Sequence, residues 1–257
     1  MTLDFLSPAA TAFAGGRPPV ARSPMEARTR ADGARFELRD GWNVAIGYGS
    51  TAEQEAAAAA QTAGWADVSH LGKLELQAPA GELSAIAAQL GAGLELGEAV
   101  RAGDAWWCRL TTTRALVVCE TAVLAQLRDR LVGAAAAARQ AGVVDVTSNF
   151  AALVLTGPMA REVFARFSAL DLRPAALGVR GLRPGSIARQ PGILICEAED
   201  RYLIMFGWAT GEYVWSVVSD AGRHLGGRPI GVDALAPIGP TTGPTDPERP
   251  TDASARA

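Results

Sequence analysis

A strand, an amphipathic helix, a strand hairpin and a second helix follow one another between residues 73 and 139, and a similar order returns between residues 143 and 225. This repetition restricts the fold more than any single motif. A chain that alternates antiparallel hairpins with amphipathic helices must cover sheet faces with those helices. It lacks the strict strand-helix series of a doubly wound parallel sheet. The expectation is an α+β protein built of two similar half-units.

In the first half, residues 73–77 read as a strand. Leu83, Ile86, Ala87 and Leu90 then take the three-and-four spacing of a helix over residues 82–90. Residues 106–110 and 114–119 read as paired strands around Thr111-Thr112-Thr113. A long helix over residues 121–139 carries an apolar stripe of Val123, Leu124, Leu127, Leu131 and Val132, and its Ala run reflects helix propensity. In the second half, strands at residues 143–146 and 151–156 precede a helix from Pro158 through residue 168, a residue suited to a first helical turn. Strands at residues 185–188, 193–196 and 202–206 precede a helix over residues 210–225, with Val214, Val217 and Val218 along one face. Upstream, residues 33–46 alternate around Asp40-Gly41 as a short hairpin does, and Ser50 or Thr51 can cap a helix over residues 53–62.

The chain has 257 residues, 49% hydrophobic and 20% charged, enough to bury a substantial core in one large domain or two small ones. Its net charge of -3 comes with dispersed arginines, which argues against a nucleic-acid partner, since phosphate binding needs a basic face. Cys108, Cys119 and Cys196 lie in apolar strand-like runs without C-x-x-C spacing, so they read as buried reduced thiols. No basic region followed by an apolar stretch opens the chain, and no apolar run reaches the ~20 residues of a membrane helix. Neither secretion nor membrane insertion is expected, and the expected location is cytoplasmic. Gly15-Gly16 and Pro18-Pro19 mark residues 1–25 as a mobile N-terminal segment. Residues 236–257, rich in Pro, Thr, Gly and Asp, read as a disordered tail, which leaves residues 26–235 as the folded domain.

Gly64-Trp65-Ala66-Asp67-Val68-Ser69-His70-Leu71-Gly72-Lys73-Leu74-Glu75-Leu76 joins a helix end to a strand through a polar turn. It resembles the G-x-x-D-[VA]-S-x-x-G-x-[IL]-x-[VL] hallmark of the glycine-cleavage T-protein family, which includes tetrahydrofolate-dependent aminomethyltransferases and the sarcosine and dimethylglycine oxidases. Residues 152–163, Ala-Leu-Val-Leu-Thr-Gly-Pro-Met-Ala-Arg-Glu-Val, are similar to the family's L-x-x-x-G-P-x-A-R-x-[VL] junction. Ser23-Pro24-Met25 with residues 33–37, and residues 227–235, are similar to the beginning and end of the catalytic half of sarcosine oxidase large subunits. The resemblance spans residues 23 to 235 and implies the folate-binding fold without the family's C-terminal barrel, either as the folate-binding half alone, like the C-terminal half of the sarcosine oxidase large subunit, or as a small gamma-type sarcosine oxidase subunit.

Two departures accompany it. Active members carry Gly-Gly-x-x-Asp-Asp before the central hairpin, an acidic group near the folate amine; here the place reads Arg101-Ala102-Gly103-Asp104-Ala105-Trp106. Asp104 could orient a reacting amine or relay a proton, or be a plain turn residue. The family's Tyr-Thr-Gly-Glu-x-Gly-[FY]-Glu motif uses its last Glu on the pterin ring, whereas residues 196–203 read Cys-Glu-Ala-Glu-Asp-Arg-Tyr-Leu. Leu203 cannot make that bond. Glu199 takes the motif's first Glu position, or is a solvated hairpin tip.

The candidate catalytic residue is thus Asp104, with Glu199, Trp106 and Tyr202 as candidate cofactor-binding residues. In the Trp106-Trp107 pair, one ring can enter the core while the other faces a cavity, because adjacent strand residues face opposite sides. Asp67 and Ser69 read as turn-capping residues, His70 as either a site residue or part of that turn, and His224 as a helix-end cation. Two histidines and dispersed cysteines build no metal quartet, and no phosphate-binding glycine loop is present. The resemblance implies a T-protein-like subunit of a sarcosine-oxidase-type, N-methyl amine-degrading complex with a modified or lost tetrahydrofolate pocket. Flavin would then sit only on partner flavoprotein subunits, with a small amine or folate as ligand. The alternatives are a stand-alone tetrahydrofolate-dependent aminomethyl or methyl transferase and a noncatalytic binding protein.

Overall fold

A computed structural model describes residues 19–237. Residues 1–18 of the expected mobile segment, and 238–257 of the expected tail, lie outside the described residues. Elements run in the order β1 (Ala21–Arg22), α1 (Glu26–Ala31), β2 (Arg35–Arg39), β3 (Trp42–Gly47), α2 (Ala52–Gln61), β4 (Gly64–Asp67) and β5 (Gly72–Gln77). Then come α3 (Ala80–Gln89), β6 (Ala99–Ala102), β7 (Ala105–Arg109), β8 (Arg114–Cys119), α4 (Thr121–Ala135) and β9 (Gly142–Asp145). The rest are β10 (Phe150–Thr156), α5 (Ala160–Ala165), β11 (Leu182–Ile187), β12 (Gln190–Ala198), β13 (Arg201–Gly207), α6 (Gly211–His224) and β14 (Arg228–Pro229).

The strands form a small sheet, β1-β3-β2, a five-stranded sheet, β6-β7-β8-β5-β9, and a six-stranded sheet, β11-β12-β13-β10-β4-β14. The two half-units are visible in that order. Each folds a hairpin triplet beside its own first strand, β6-β7-β8 beside β5 and β11-β12-β13 beside β10. In the second, β4 intervenes between β10 and the last strand, pairing antiparallel with β10 and parallel with β14. The chain is an α+β protein, as the repeating hairpin-helix order predicts.

Alternation along the strands sets the layers. Leu74, Leu76, Trp107 and Val117 face α3 and α4, where they meet Leu83, Ile86, Leu127 and Leu131. Leu153, Leu155, Leu194, Ile204 and Phe206 face α5 and α6, with Phe164, Val214, Trp215 and Val218. Odd and even positions then leave Trp106, Cys108, Leu116 and Val118 of one sheet against Val154, Ile195, Leu203 and Met205 of the other. The two large sheets therefore lie face to face, with helices outside both. They also touch edge to edge, where Leu182 N donates to Gly97 O at 2.9 Å and Ala99 N to Arg180 O at 2.8 Å. All three cysteines are buried and free, as their apolar strand context predicts.

Four expectations need correction. Residues 64–67, expected as a helix end and turn, are the strand β4, which is buried at every position and so shows no polar alternation. The expected 121–139 helix ends at Ala135, because the buried stripe closes with Leu131 and Ala135 and propensity alone does not extend it. The Pro158 helix begins only at Ala160 and ends at Ala165. The fold also starts before residue 26, since Ala21–Arg22 pairs with Trp42–Asn43 and Met25 is fully buried among the α6-side core.

Thr51 closes α2 as expected, its Oγ1 accepting from Gln54 N at 3.3 Å while Gln54 Oε1 accepts from Thr51 N at 3.2 Å. Removing the Thr51 hydroxyl strands one backbone donor, Gln54 N. Thr51→Ala is expected to lower unfolding free energy by about 1 kcal/mol in urea titrations; an unchanged midpoint would show that solvent replaces the cap.

Candidate functional site

A cavity of about 360 Å³ opens where the face-to-face sheets part. Trp106 and Val118 line it from the five-stranded sheet, and Val154, Glu197 and Arg201 from the six-stranded sheet. The turn between β4 and β5 contributes Val68, His70 and Leu71. The β2–β3 hairpin supplies Arg39 and Asp40, and the stretch after β14 supplies Asp233, Leu235 and Pro237. The last two segments are tied together: Arg39 donates from Nη1 to Asp233 Oδ1 at 2.5 Å and from Nη2 to Oδ2 at 2.9 Å. This bidentate pair, although partly exposed, joins both sides of the mouth.

The hallmark turn is built from its own polar groups. Ser69 N donates to Asp67 Oδ1 at 3.0 Å, and Ser69 Oγ accepts from Ala152 N at 3.1 Å, which fastens the turn to β10. Burial pushes the Asp67 carboxyl above the usual carboxylate range. Lys73 is fully buried beneath the turn, with Nζ donating to Ser69 O and Leu71 O at 2.8 Å each. Burial brings its ammonium pKa down to about 7, against the opposing pull of Asp67 and Asp145. Burial likewise takes His70 down to about 4, helped by the positive charges of Lys73 and Arg39. His70 thus presents a neutral imidazole at neutral pH. Cys119 also lines the cavity, but burial pushes its thiol up to about 12, so it remains protonated and is no ready nucleophile.

The structure brings together only part of the expected site. Asp104 lies at the exposed two-residue tip joining β6 to β7, where the cavity rim passes. Trp106 forms the wall and Trp107 enters the opposite core, the division that strand alternation predicts. Glu199 sits instead on the exposed β12–β13 hairpin tip, outside the cavity. Tyr202 points to the far side of its sheet, where it is 1% exposed and its hydroxyl accepts from Arg161 Nε at 2.8 Å. Leu203 is fully buried between the sheets.

The carboxylate in the cavity wall is Glu197, 5% exposed, which sequence reasoning passed over. Cys196 pairs with Tyr202 and Ala198 with Arg201, so Glu197 is the extra residue of a β-bulge in β12. Such a bulge re-aims one side chain. Its Oε2 accepts from Arg201 Nε at 2.9 Å, and burial still raises its pKa against the attraction of Arg201. The inward pattern of Ile193 and Ile195 continues to 197, the one signal in the sequence that could have found it. Around the rim, Asp40, Asp104, Glu120 and Arg101 form no salt bridge among the described residues. Arg101 lies over the Trp106 ring at 5.9 Å. Among the described residues no group of three potential metal ligands occurs, and no helix is long and apolar enough to cross a membrane.

Two face-to-face sheets under outer helices, with a central cavity walled by a hallmark turn and a bulged carboxylate, define a T-protein-like folate-binding fold. The sequence profile of the GCVT N-terminal domain family matches residues 96–238, more than half of the chain, and the protein belongs to that family. The glycine cleavage system aminomethyltransferase T of Bartonella henselae superposes with a TM-score of 0.70 at 18% identity, covering 84% of this chain and 60% of that one. The present chain thus spans about 60% of that enzyme. A chain of the heterotetrameric sarcosine oxidase from Corynebacterium sp. U-96, in complex with pyrrole 2-carboxylate, superposes with a TM-score of 0.59 at 26% identity, covering 73% of this chain and 95% of that one. No curated protein sequence matches.

Whether the residues suit tetrahydrofolate can be judged at the family's ligand-reading positions. Leu203 offers no acceptor, Tyr202 turns away and Glu199 is outside the cavity. Those positions do not fit the pterin edge, and a pterin placed there would leave polar atoms unpaired at about 1–3 kcal/mol per buried group.

Proposed function

We propose that this chain is a T-protein-like subunit of a sarcosine-oxidase-type complex that degrades an N-methyl amine, working with cytoplasmic flavoprotein subunits that hold the flavin. The observation that carries this reading is the match to one chain of the heterotetrameric oxidase over 95% of that chain's length, against 60% for the aminomethyltransferase. The departure at Leu203 and the placement of Glu199 outside the cavity favour a role in docking and in a rebuilt cavity over the family's tetrahydrofolate chemistry. Asp104, at the rim, is proposed to act there as a charged contact rather than as a catalytic base. Its tip position exposes it to solvent, where a carboxylate gains little from the cavity's low dielectric. Residues 26–235 are proposed as the functional domain, together with the docked stretch that begins at residue 19.

Co-expression with the flavin-binding subunits of a sarcosine-oxidase-type complex tests this reading. The chain is expected to co-elute with flavin absorbance in size exclusion, and its omission should abolish N-methylglycine oxidation. Elution as a free species, with full oxidation by the flavoprotein alone, would reject the subunit reading.

A further inference from the structure

One edge of the fold concentrates positive charge in a chain whose net charge is -3. Residues 166–189 contain five arginines and a single acidic residue, Asp171. They form one surface, because residues 166–178 run along β11, the end strand of the six-stranded sheet. Ala188 N donates to Phe167 O at 3.0 Å, Ser168 Oγ to Ser186 O at 2.8 Å and Arg183 Nη2 to Ala176 O at 3.0 Å. Asp171 pairs with Arg173, and Glu98, across the join between the sheets, pairs with Arg180. Arg166, Arg183 and Arg189 are exposed and form no salt bridge among the described residues. Nor do the exposed acids that border the stretch, Glu95 before Leu96 and Glu162 on α5.

Two of these arginines occupy backbone that arginine does not favour. Arg180 has φ 72, and Ala188 and Arg189, at φ 48 and 62, form the two-residue turn between β11 and β12. Both positions of such a turn favour Gly, Asn or Asp, so an arginine stands at 189 against its backbone preference. Strain of this kind marks positions kept for something other than stability. Val179 and Leu96, 50% and 58% exposed, adjoin Arg180 and Gly97, where the two sheets join. Exposed apolar side chains beside arginines are the composition of a protein interface; a phosphate-binding face needs a broader field of positive charge. The edge is also closed to strand addition. Ser168 Oγ and Arg183 Nη1 occupy the Ser186 and Leu182 carbonyls, and Pro184 has no N–H. Contact here is therefore made by side chains.

We propose that the β11 edge, through Arg166, Arg183 and Arg189, is the surface on which this chain docks to an acidic face of a flavoprotein subunit. The proposal rests on the subunit reading and deepens it by naming the face and the charge of its counterpart. Unpaired arginines with Leu96 and Val179 beside them suit a protein surface that sets Asp and Glu around an apolar patch, the charges steering the encounter and fixing its register.

Biolayer interferometry of the full chain against the flavin-binding subunits of a sarcosine-oxidase-type complex, at low and high salt, tests the proposal. Parent affinity is expected to fall as salt rises. Arg166→Glu/Arg189→Glu should weaken it at least about tenfold at low salt. Arg183 is left in place, since its guanidinium holds residues 166–178 to β11. Arg130→Glu/Arg139→Glu, which changes net charge equally on and just after α4, should bind as the parent does. Arg189→Gly serves should the double variant fail to fold: its turn loses the strain, so its urea midpoint should rise while its affinity falls. A parent that associates at no salt concentration rejects the subunit reading and this surface with it. Parent-like binding by the β11 variants, or an equal loss in the α4 variant, overturns this surface alone and leaves the subunit reading standing. Capture of single-stranded DNA by the parent, lost in the β11 variant while flavoprotein association persists, would reassign the face to nucleic acid.

Discussion

Gly157→Ala is expected to abolish or nearly abolish folding. Gly157 sits at φ +105 between β10 and α5, a conformation that side chains with a Cβ rarely adopt. A Cβ placed there would lie 2.3 Å from Ala59 O and 2.6 Å from Thr62 O. Both atoms are backbone at the end of α2, so no rotamer change relieves the clash. The same place is held by hydrogen bonds, Gly157 N to Asp200 O and Met159 N to Thr62 O, each at 2.9 Å. Shifting the chain to make room would break them. Strain and overpacking together should cost about 4 kcal/mol or more, a large part of the ~5–15 kcal/mol that holds a domain folded. Urea denaturation, or the soluble yield itself, reads the effect. A loss under about 1 kcal/mol would show that α2 can move away freely.

The second large effect concerns pH. In the folded chain burial lowers Lys73 to a pKa of about 7, against an ordinary 10.5. A group depressed in the folded state contributes stability that is fully present above its unfolded pKa and is lost as pH falls through the folded one. The folded protein should therefore gain stability as pH rises from 7 to 10.5, by on the order of 4 kcal/mol from this group alone. Asp67, raised by burial, acts in the opposite sense, its contribution falling as pH rises through its folded-state pKa. The difference between parent and Lys73→Met isolates the lysine. Methionine leaves Ser69 O and Leu71 O without their donor at about 1–3 kcal/mol each, which offsets the relief of removing the charge. The slope is therefore more informative than the level. The variant should be most favoured relative to the parent below pH 7 and lose that advantage by pH 10.5. Parallel curves would mean that Lys73 keeps an ordinary pKa in the folded protein.

Elements with a clear period were legible in the sequence. The α3 stripe of Leu83, Ile86 and Ala87 and the alternation through Trp106-Trp107 came out as the spacing requires. The β4 strand did not, since Gly64-Trp65-Ala66-Asp67 is four residues long, buried on both faces and without alternation, and its partners come from β10 and β14, far along the chain. The candidate site was half legible for a related reason. Asp104 and Trp106 reach the cavity because a two-residue turn sets the β6–β7 register. Motif spacing led to Glu199, whereas the alternation of Ile193 and Ile195 carries on to Glu197 and ends at the bulge, before the hairpin tip that holds Glu199. Family motifs locate strand ends; the phase of the strand decides which side chain faces the cavity.

The order in which β4 acquires its neighbours also bears on synthesis. While the ribosome is still making the five-stranded half, Gly64–Asp67 is an apolar segment with unused hydrogen-bonding edges on both sides. One edge closes only when β10 emerges and the other only when Arg228–Pro229 does. The first half-unit can therefore be complete in the nascent chain while the segment just before it still has both edges unpaired.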